Sequence, residues 1–262
     1  MNLRSLLLSA LLAIGACSPP PSTRDTTSAV LWIQTAAEFE IAVRQSYRIA
    51  LERLDLALAA APPPRTPAII VDLDETLLDN SAFEARLLAR DVEFDRDAWH
   101  AWQTGTEARA LPGAVEFLAG VRRRGVAVYL VTNRAEEYRA PTLASLRKTG
   151  LAAEGDDGVR LLLLGERPEW TADKTSRREF VARDHTVLLV VGNDLNDFVD
   201  ARGRDLAARQ ALVAEHADRF GRDWILVPSP LWGSWLDAVD DFRTDLSPAE
   251  LRALRLSRLR LD

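Results

Sequence analysis

The chain has 262 residues, enough for one large α/β domain or two small ones, and 47% of them are apolar, so a full core can be buried. The net charge of −6 and the lack of a basic cluster argue against nucleic acid as the main partner. A single cysteine leaves no disulfide within the chain.

Residues 1–16 read as a secretory signal rather than as part of the fold. Arg4 is the charged leader and Leu6 to Ile14 the apolar run, far short of the roughly 20 residues a membrane span needs. The run ends Ile14-Gly15-Ala16-Cys17, which resembles a bacterial lipobox, with Cys17 as the lipidated first residue of the mature protein. A plain secretory signal with an incidental cysteine is the alternative. Lipidation would leave no free thiol in an oxidising compartment. Ser18 follows the cysteine, and by resemblance to known lipoproteins this favours the outer membrane over the inner one. Residues 17–28 then form a Pro-, Ser- and Thr-rich tether.

From Ala29 to about Ala60, Leu31, Phe39, Val43, Tyr47, Ala50, Leu54 and Leu58 recur at threes and fours, which predicts one long helix ended by Pro62-Pro63-Pro64. Ile69-Ile70-Val71 reads as a buried strand, the centre of a parallel sheet. It runs into Asp72 and Asp74, two positions apart and therefore on one side. At the carboxyl edge of an open α/β sheet, where ligands bind, two such close anions call for a cation. A hard one, Mg²⁺ first, fits oxygen ligands.

Residues 77–110 predict a small helical cap over that edge. Trp99 and Trp102, three apart on one helix face, are read either as core anchors or as an aromatic wall for a substrate ring. Further helices are expected at Pro112–Arg124, Glu136–Thr149, Lys174–Ala182 and after the capping box Ser247-Pro248-Ala249-Glu250. Further strands are expected at Val126–Val131, Val159–Leu164, Thr186–Val191 and Trp224–Val227. Strands alternating with helices give an α/β fold, a doubly wound parallel sheet.

Strand ends, or the loops just after them, carry in order Asp72-x-Asp74, Thr132-Asn133, Lys174 and an acidic group at 193–197. With Asp72 to Ser81, Leu111 to Ala114, Val131 to Arg134, Asp173-Lys174 and Gly192 to Phe198, the chain resembles a haloacid-dehalogenase superfamily phosphatase. Within that superfamily it resembles the class C acid phosphatases, the bacterial lipoprotein e family. The similarity runs from about Trp32 to Trp235.

The chemistry fits. Asp72 is the nucleophile expected to form an aspartyl-phosphate, and Asp74 the acid for the leaving oxygen and then the base for water. A dehalogenase would lack the second Asp. Thr132 and Asn133 are expected to hold phosphate oxygens, and Lys174 to place a positive charge beside phosphate and carboxylates. The resemblance implies a Mg²⁺ held by Asp72, Asp74 and the 193–197 loop. The family reads Gly-Asp-Asn where this chain reads Gly192-Asn193-Asp194, so either Asn193 keeps the ligand slot or Asp194 takes it, with Asp197 acting through water or Lys174. Arg134, Trp99, Trp102 and Trp232 are the expected substrate-binding side chains. Trp232 stands where the family stacks an aromatic on the base, or else anchors a loop.

The implied activity is a Mg²⁺-dependent acid phosphatase or 5′-nucleotidase acting on small phosphomonoesters, among them nucleoside monophosphates, nicotinamide mononucleotide and aryl phosphates. Its membrane contact would be through the lipid anchor only, and a homo-oligomer is left open. Two rivals stand beside it: a non-catalytic surface lipoprotein that kept the fold, favoured only by the Asn193-Asp194 order, and a phosphotransferase that passes phosphate to an alcohol.

Overall fold

A computed structural model describes residues 26–60, 64–152 and 160–261. The signal, Cys17 and most of the tether lie outside the described residues. The elements run α1 (Thr27–Thr35), α2 (Ala37–Ala60), β1 (Pro67–Val71), β2 (Leu78–Asp79), α3 (Ser81–Arg90), α4 (Arg96–Thr104), β3 (Arg109–Ala110), α5 (Ala114–Arg123) and β4 (Ala127–Ala135). They continue with α6 (Arg139–Lys148), β5 (Arg160–Leu164), α7 (Thr175–Asp184), β6 (Thr186–Gly192), α8 (Leu206–Glu215), β7 (Trp224–Leu226), α9 (Ser234–Val239) and α10 (Pro248–Ser257).

Five strands form one parallel sheet in the order β5-β4-β1-β6-β7. The run Pro-Ala-Ile-Ile-Val is buried on both faces, as the centre of a parallel sheet requires. Ile69 and Val71 face a core shared with α2 and α5, whereas Ala68 and Ile70 face a second core with Val181 of α7. The chain leaves β1 outward through β4 to β5, then returns to the other side of β1 through β6 to β7. The order therefore reverses at β1, and the crevice at its carboxyl end opens where Asp72 begins.

The expected single long helix is two. Ala36 adopts an extended conformation (φ −81°, ψ 126°) between α1 and α2. The break lets Trp32 fold back edge-on against Phe39 (5.1 Å between ring centroids) and brings α1 onto α3. Burial of Val30 and Ile33 offsets the helical hydrogen bonds given up at the break. The cap between β1 and α5 is helical as expected, and is closed at its base by the two-residue antiparallel pair β2–β3. Helix α5 starts at Ala114, so Pro112 precedes it by two residues rather than opening it.

Candidate active site

Past β1 the Asp72 amide still donates to Val191 O of β6 (2.9 Å), so the sheet fixes its backbone. The chain then turns sharply. The amides of Leu77 and Leu78 both return to Leu73 O (2.9 Å each), and Glu75 sits at φ 59° in the left-handed region. The Tyr47 hydroxyl of α2 donates to Thr76 O and ties the turn to the core. This turn brings the Asp72 and Asp74 carboxylates to one cleft of about 220 Å³, shared with Thr132, Asn133, Lys174 and Asn193.

One lysine serves two carboxylates. Lys174 Nζ donates to Asp72 Oδ1 and to Asp197 Oδ1 (2.6 Å), all three groups being buried. Burial pushes the Asp72 carboxyl up to about 7 against the pull of Lys174, and the charge of Asp197 adds to the rise. The Thr76 hydroxyl lies 2.9 Å from Asp72 Oδ2. Asp74 behaves oppositely. Its burial favours the neutral acid, but the guanidinium of Arg134 and the amide of Asn80 outweigh that and hold the carboxyl below its usual range. Arg134 is therefore not free for substrate. Its buried fork grips Asp74, and the reading of Arg134 as a substrate-binding side chain gives way to that of a support for the acid.

Thr132 Oγ1 accepts the Arg134 amide (3.1 Å), which leaves its hydroxyl hydrogen to donate into the cleft. Asn133 is held at both ends. Its Oδ1 accepts from Arg177 (2.7 Å), and its Nδ2 donates to Ala172 O (3.1 Å) with one hydrogen left over. Arg177 also donates to Thr132 O (2.5 Å) and Thr171 O (2.7 Å). Sequence reasoning passed over this buried residue, although its place one turn after Lys174 on α7 was a usable signal.

At the last motif the two candidates part. The carboxylate of Asp194 accepts from the amides of Asn196 (2.8 Å) and Ser234 (2.5 Å) and from the Ser234 hydroxyl (2.7 Å), with Arg209 nearby at 3.9 Å. It lines the same cleft, but its oxygens are turned to Ser234 at the start of α9 and to the Asn196 amide, which leaves Asn193 as the candidate nearer Asp72. Asn193 faces the aspartates, the end of its amide lying 3.2 Å from Asp72 Oδ2, 3.0 Å from Thr76 Oγ1 and 3.2 Å from Asp74 O. That end is best filled by NH₂, which donates to these acceptors; rotated, it presents an oxygen to the same spot. Asp197 turns Oδ2 back to accept the amides of Asn193 (3.0 Å) and Asp194 (2.9 Å). A Cβ on Gly192 would stand 2.3 Å from that oxygen, so only glycine fits there.

Among the described residues no three His, Cys, Asp or Glu side chains converge as a metal cluster. What converges is one carboxylate, Asp72, and one neutral oxygen, Asp74 O, with the Asn193 amide adding a second neutral oxygen when its side chain is rotated. An all-oxygen set suits a hard divalent cation, held with less charge than three carboxylates would supply.

The tryptophans divide. Trp102 is buried at 5% exposure and its Nε1 donates to Asn80 Oδ1 (2.8 Å), so it is a core anchor and not a substrate wall. Trp99 and Trp232 are half-buried and lie 6.1 Å apart at 31°, with the exposed Phe94 against Trp232 at 5.6 Å. They belong to an aromatic cluster centred on Phe83, and none of the three tryptophans lines the carboxylate cleft.

A model of the haloacid-dehalogenase superfamily, subfamily IIIB (acid phosphatase), matches residues 14–235. The solved class C acid phosphatase from Bacillus anthracis superposes with a TM-score of 0.82 at 32% identity, covering 91% of this chain and 98% of that one. A second structure of the Bacillus anthracis enzyme, with tungstate bound, gives the same values. Acid phosphatase 1 of Solanum lycopersicum is 28% identical over 148 residues, 53% of this chain and 54% of that protein. The chain thus spans about half the length of this curated relative.

Proposed function

The chain belongs to the acid phosphatases of subfamily IIIB of the haloacid-dehalogenase superfamily, and on that footing we propose that it hydrolyses phosphomonoesters through an aspartyl-phosphate on Asp72. The observation that carries this is the pairing of two carboxylates with opposite surroundings at one cleft: Asp72 with Lys174, Asp74 with Arg134.

A phosphate dianion entering the cleft meets the Thr132 hydroxyl, the remaining Asn133 hydrogen and the third hydrogen of Lys174. An Asp72 oxygen attacks phosphorus. The ester P–O bond breaks, its electron pair stays on the leaving oxygen, and Asp74, which takes up a proton from solvent as substrate binds, passes it to that oxygen. Asp74, now a carboxylate, takes a proton from the water that attacks phosphorus of the Asp72 acyl phosphate; the P–O bond to Asp72 breaks with its electron pair on the carboxylate, and both residues are restored. General acid–base help of this kind is worth about 10²–10⁴-fold. A divalent cation, which we take to be Mg²⁺ on Asp72, Asp74 O and Asn193, would neutralise phosphate charge. The Bacillus anthracis relative has been solved with tungstate bound, and tungstate, like phosphate, is a tetrahedral oxyanion, which supports an anion of this shape as ligand.

Nucleoside monophosphates are the proposed substrates; the half-buried Trp99 and Trp232 beside the exposed Phe94 form an aromatic cluster whose ring faces suit a base, and the chain runs from Trp232 directly into Gly233 and Ser234 of the cleft. The signal and Cys17 support a lipid-anchored protein of the outer membrane. Phosphate release from a panel of nucleoside, aryl and alkyl monophosphates, with and without EDTA, tests the reading. Release from none of them at any metal concentration would remove it.

A further inference from the structure

Asn80 is fully buried and uses every polar atom of its side chain. Its Nδ2 donates to Asp74 Oδ1 (2.9 Å) and Glu75 Oε1 (2.9 Å), and its Oδ1 accepts the Trp102 indole N–H (2.8 Å). The orientation is unambiguous, because an indole N–H only donates and must meet the amide oxygen. Asp74 Oδ1 receives three donors, Asn80 Nδ2, Arg134 Nε (3.2 Å) and Arg134 Nη2 (2.7 Å), whereas Oδ2 receives only Arg134 Nε (3.0 Å) among the described residues. Oδ2 is thus the oxygen with a lone pair to spare for a proton.

Trp102 sits on cap helix α4, beneath the Arg86 guanidinium (5.0 Å to the ring centroid), one turn from Trp99. The same helix therefore carries a residue of the aromatic cluster around Phe83 and, three positions on, the group that fixes the amide behind Asp74.

We propose that Trp102, acting through Asn80, is a positioning residue that holds Asp74 with Oδ2 turned to the leaving oxygen, coupling the cap to acid catalysis. The proposal rests on the phosphatase reading above. In the step it serves, the proton on Asp74 Oδ2 passes to the ester oxygen as that oxygen keeps the electron pair of the broken P–O bond, and Asp74 is left anionic. An alkoxide needs that proton; p-nitrophenolate, stable without it, does not.

The test compares kcat/KM, which reads the phosphoryl-transfer step, for an alkyl phosphate and for p-nitrophenyl phosphate at saturating Mg²⁺. Trp102→Phe keeps the ring and loses the N–H. It should cut kcat/KM about tenfold for the alkyl ester, a fraction of the full acid effect, and leave p-nitrophenyl phosphate within about twofold. Arg86→Ala, which loses the cation but keeps the N–H, should leave the ratio of the two substrates unchanged. In an Asp74→Asn background Trp102→Phe should change the ratio no further. Asn80→Ala, checked for folding by circular dichroism, should give the same selective loss and carries the test should Trp102→Phe not fold. Equal losses on both substrates, or no loss on either, in whichever variant folds would overturn the proposal while leaving the phosphatase reading intact. A wild-type protein inactive on both substrates would remove that reading instead.

Discussion

Arg134 grips Asp74 with a fork, Nη2 to Oδ1 at 2.7 Å and Nε to Oδ2 at 3.0 Å, the arginine side chain being 1% exposed and the aspartate 19%. A partly buried acid with this partner starts as a carboxylate and must be protonated before or as substrate binds. Removing either charge leaves the other uncompensated. Arg134→Met should therefore lose about 3 kcal/mol of stability in a urea melt. Arg134→Lys, a point charge without the fork, should keep most of the stability and still lose kcat/KM for alkyl phosphates about tenfold. An Arg134→Lys enzyme with wild-type kinetics would mean that the fork is not needed.

Asp72→Asn should abolish turnover, because an amide nitrogen does not attack phosphorus. Its stability should not fall. Burial of the Asp72 charge is unfavourable, as its pKa, pushed up to about 7, expresses, and Lys174 keeps Asp197 as partner at 2.6 Å. The expected result is a melting temperature at or above that of the wild type, with phosphate release below a few per cent. Residual release above that level would point to another nucleophile.

What the sequence disclosed follows from how local the signals are. The apolar run before Asp72 and the alternation of strand and helix are short-range patterns, and they suffice for the sheet and for bringing Asp72, Asp74, Thr132 and Lys174 to one edge. The break at Ala36 carries neither Gly nor Pro, and only the contact of Trp32 with Phe39 and of α1 with α3 decides it. The turning away of Asp194 depends on Ser234, forty residues later, and so cannot be read from the motif itself. Arg134 and Trp102 were noticed as polar and aromatic groups near the site. That their partners are Asp74 and Asn80, rather than substrate, is tertiary information.

The Asn193–Asp194 order makes a metal prediction. Asn193→Asp adds a carboxylate facing Asp72 Oδ2 and Asp74 O and should tighten Mg²⁺ binding about tenfold, read by calorimetry as well as by activity. Asp194→Asn should leave the Mg²⁺ constant within about twofold and instead lower the melting temperature, since its carboxylate caps Asn196 and Ser234. A reversed order, with Asp194→Asn weakening Mg²⁺ and Asn193→Asp without effect, would reassign the ligand.

The anchor is tested at Cys17. If lipidation supplies the membrane affinity, Cys17→Ser should move the protein from the detergent phase to the aqueous phase or leave it unprocessed. Among the described residues no helix is long and apolar enough to span a membrane. Equal partitioning of mutant and wild type would end the lipoprotein reading.

Glu75 gives a stability prediction whose sign is fixed by its surroundings. Burial first, and the nearby charge of Asp74 second, raise its carboxyl well above the ordinary value, while the Asn80 amide works against the rise. In the unfolded chain the same group titrates near its usual value of about 4.3. Below that pH both states hold the proton and Glu75 makes no difference. As pH rises, the unfolded chain releases its proton first and the folded protein does not. The stability present at low pH is then lost progressively, until the folded carboxyl also ionises. Glu75→Gln keeps an oxygen for Asn80 Nδ2 at 2.9 Å and has no proton to lose. In chelator, mutant and wild type should melt together near pH 4, and the mutant should gain as pH rises to about 8. Each kcal/mol of difference should appear as about 2–4 °C. Parallel melting curves across that range would mean that Glu75 ionises in the folded protein as easily as in the unfolded chain.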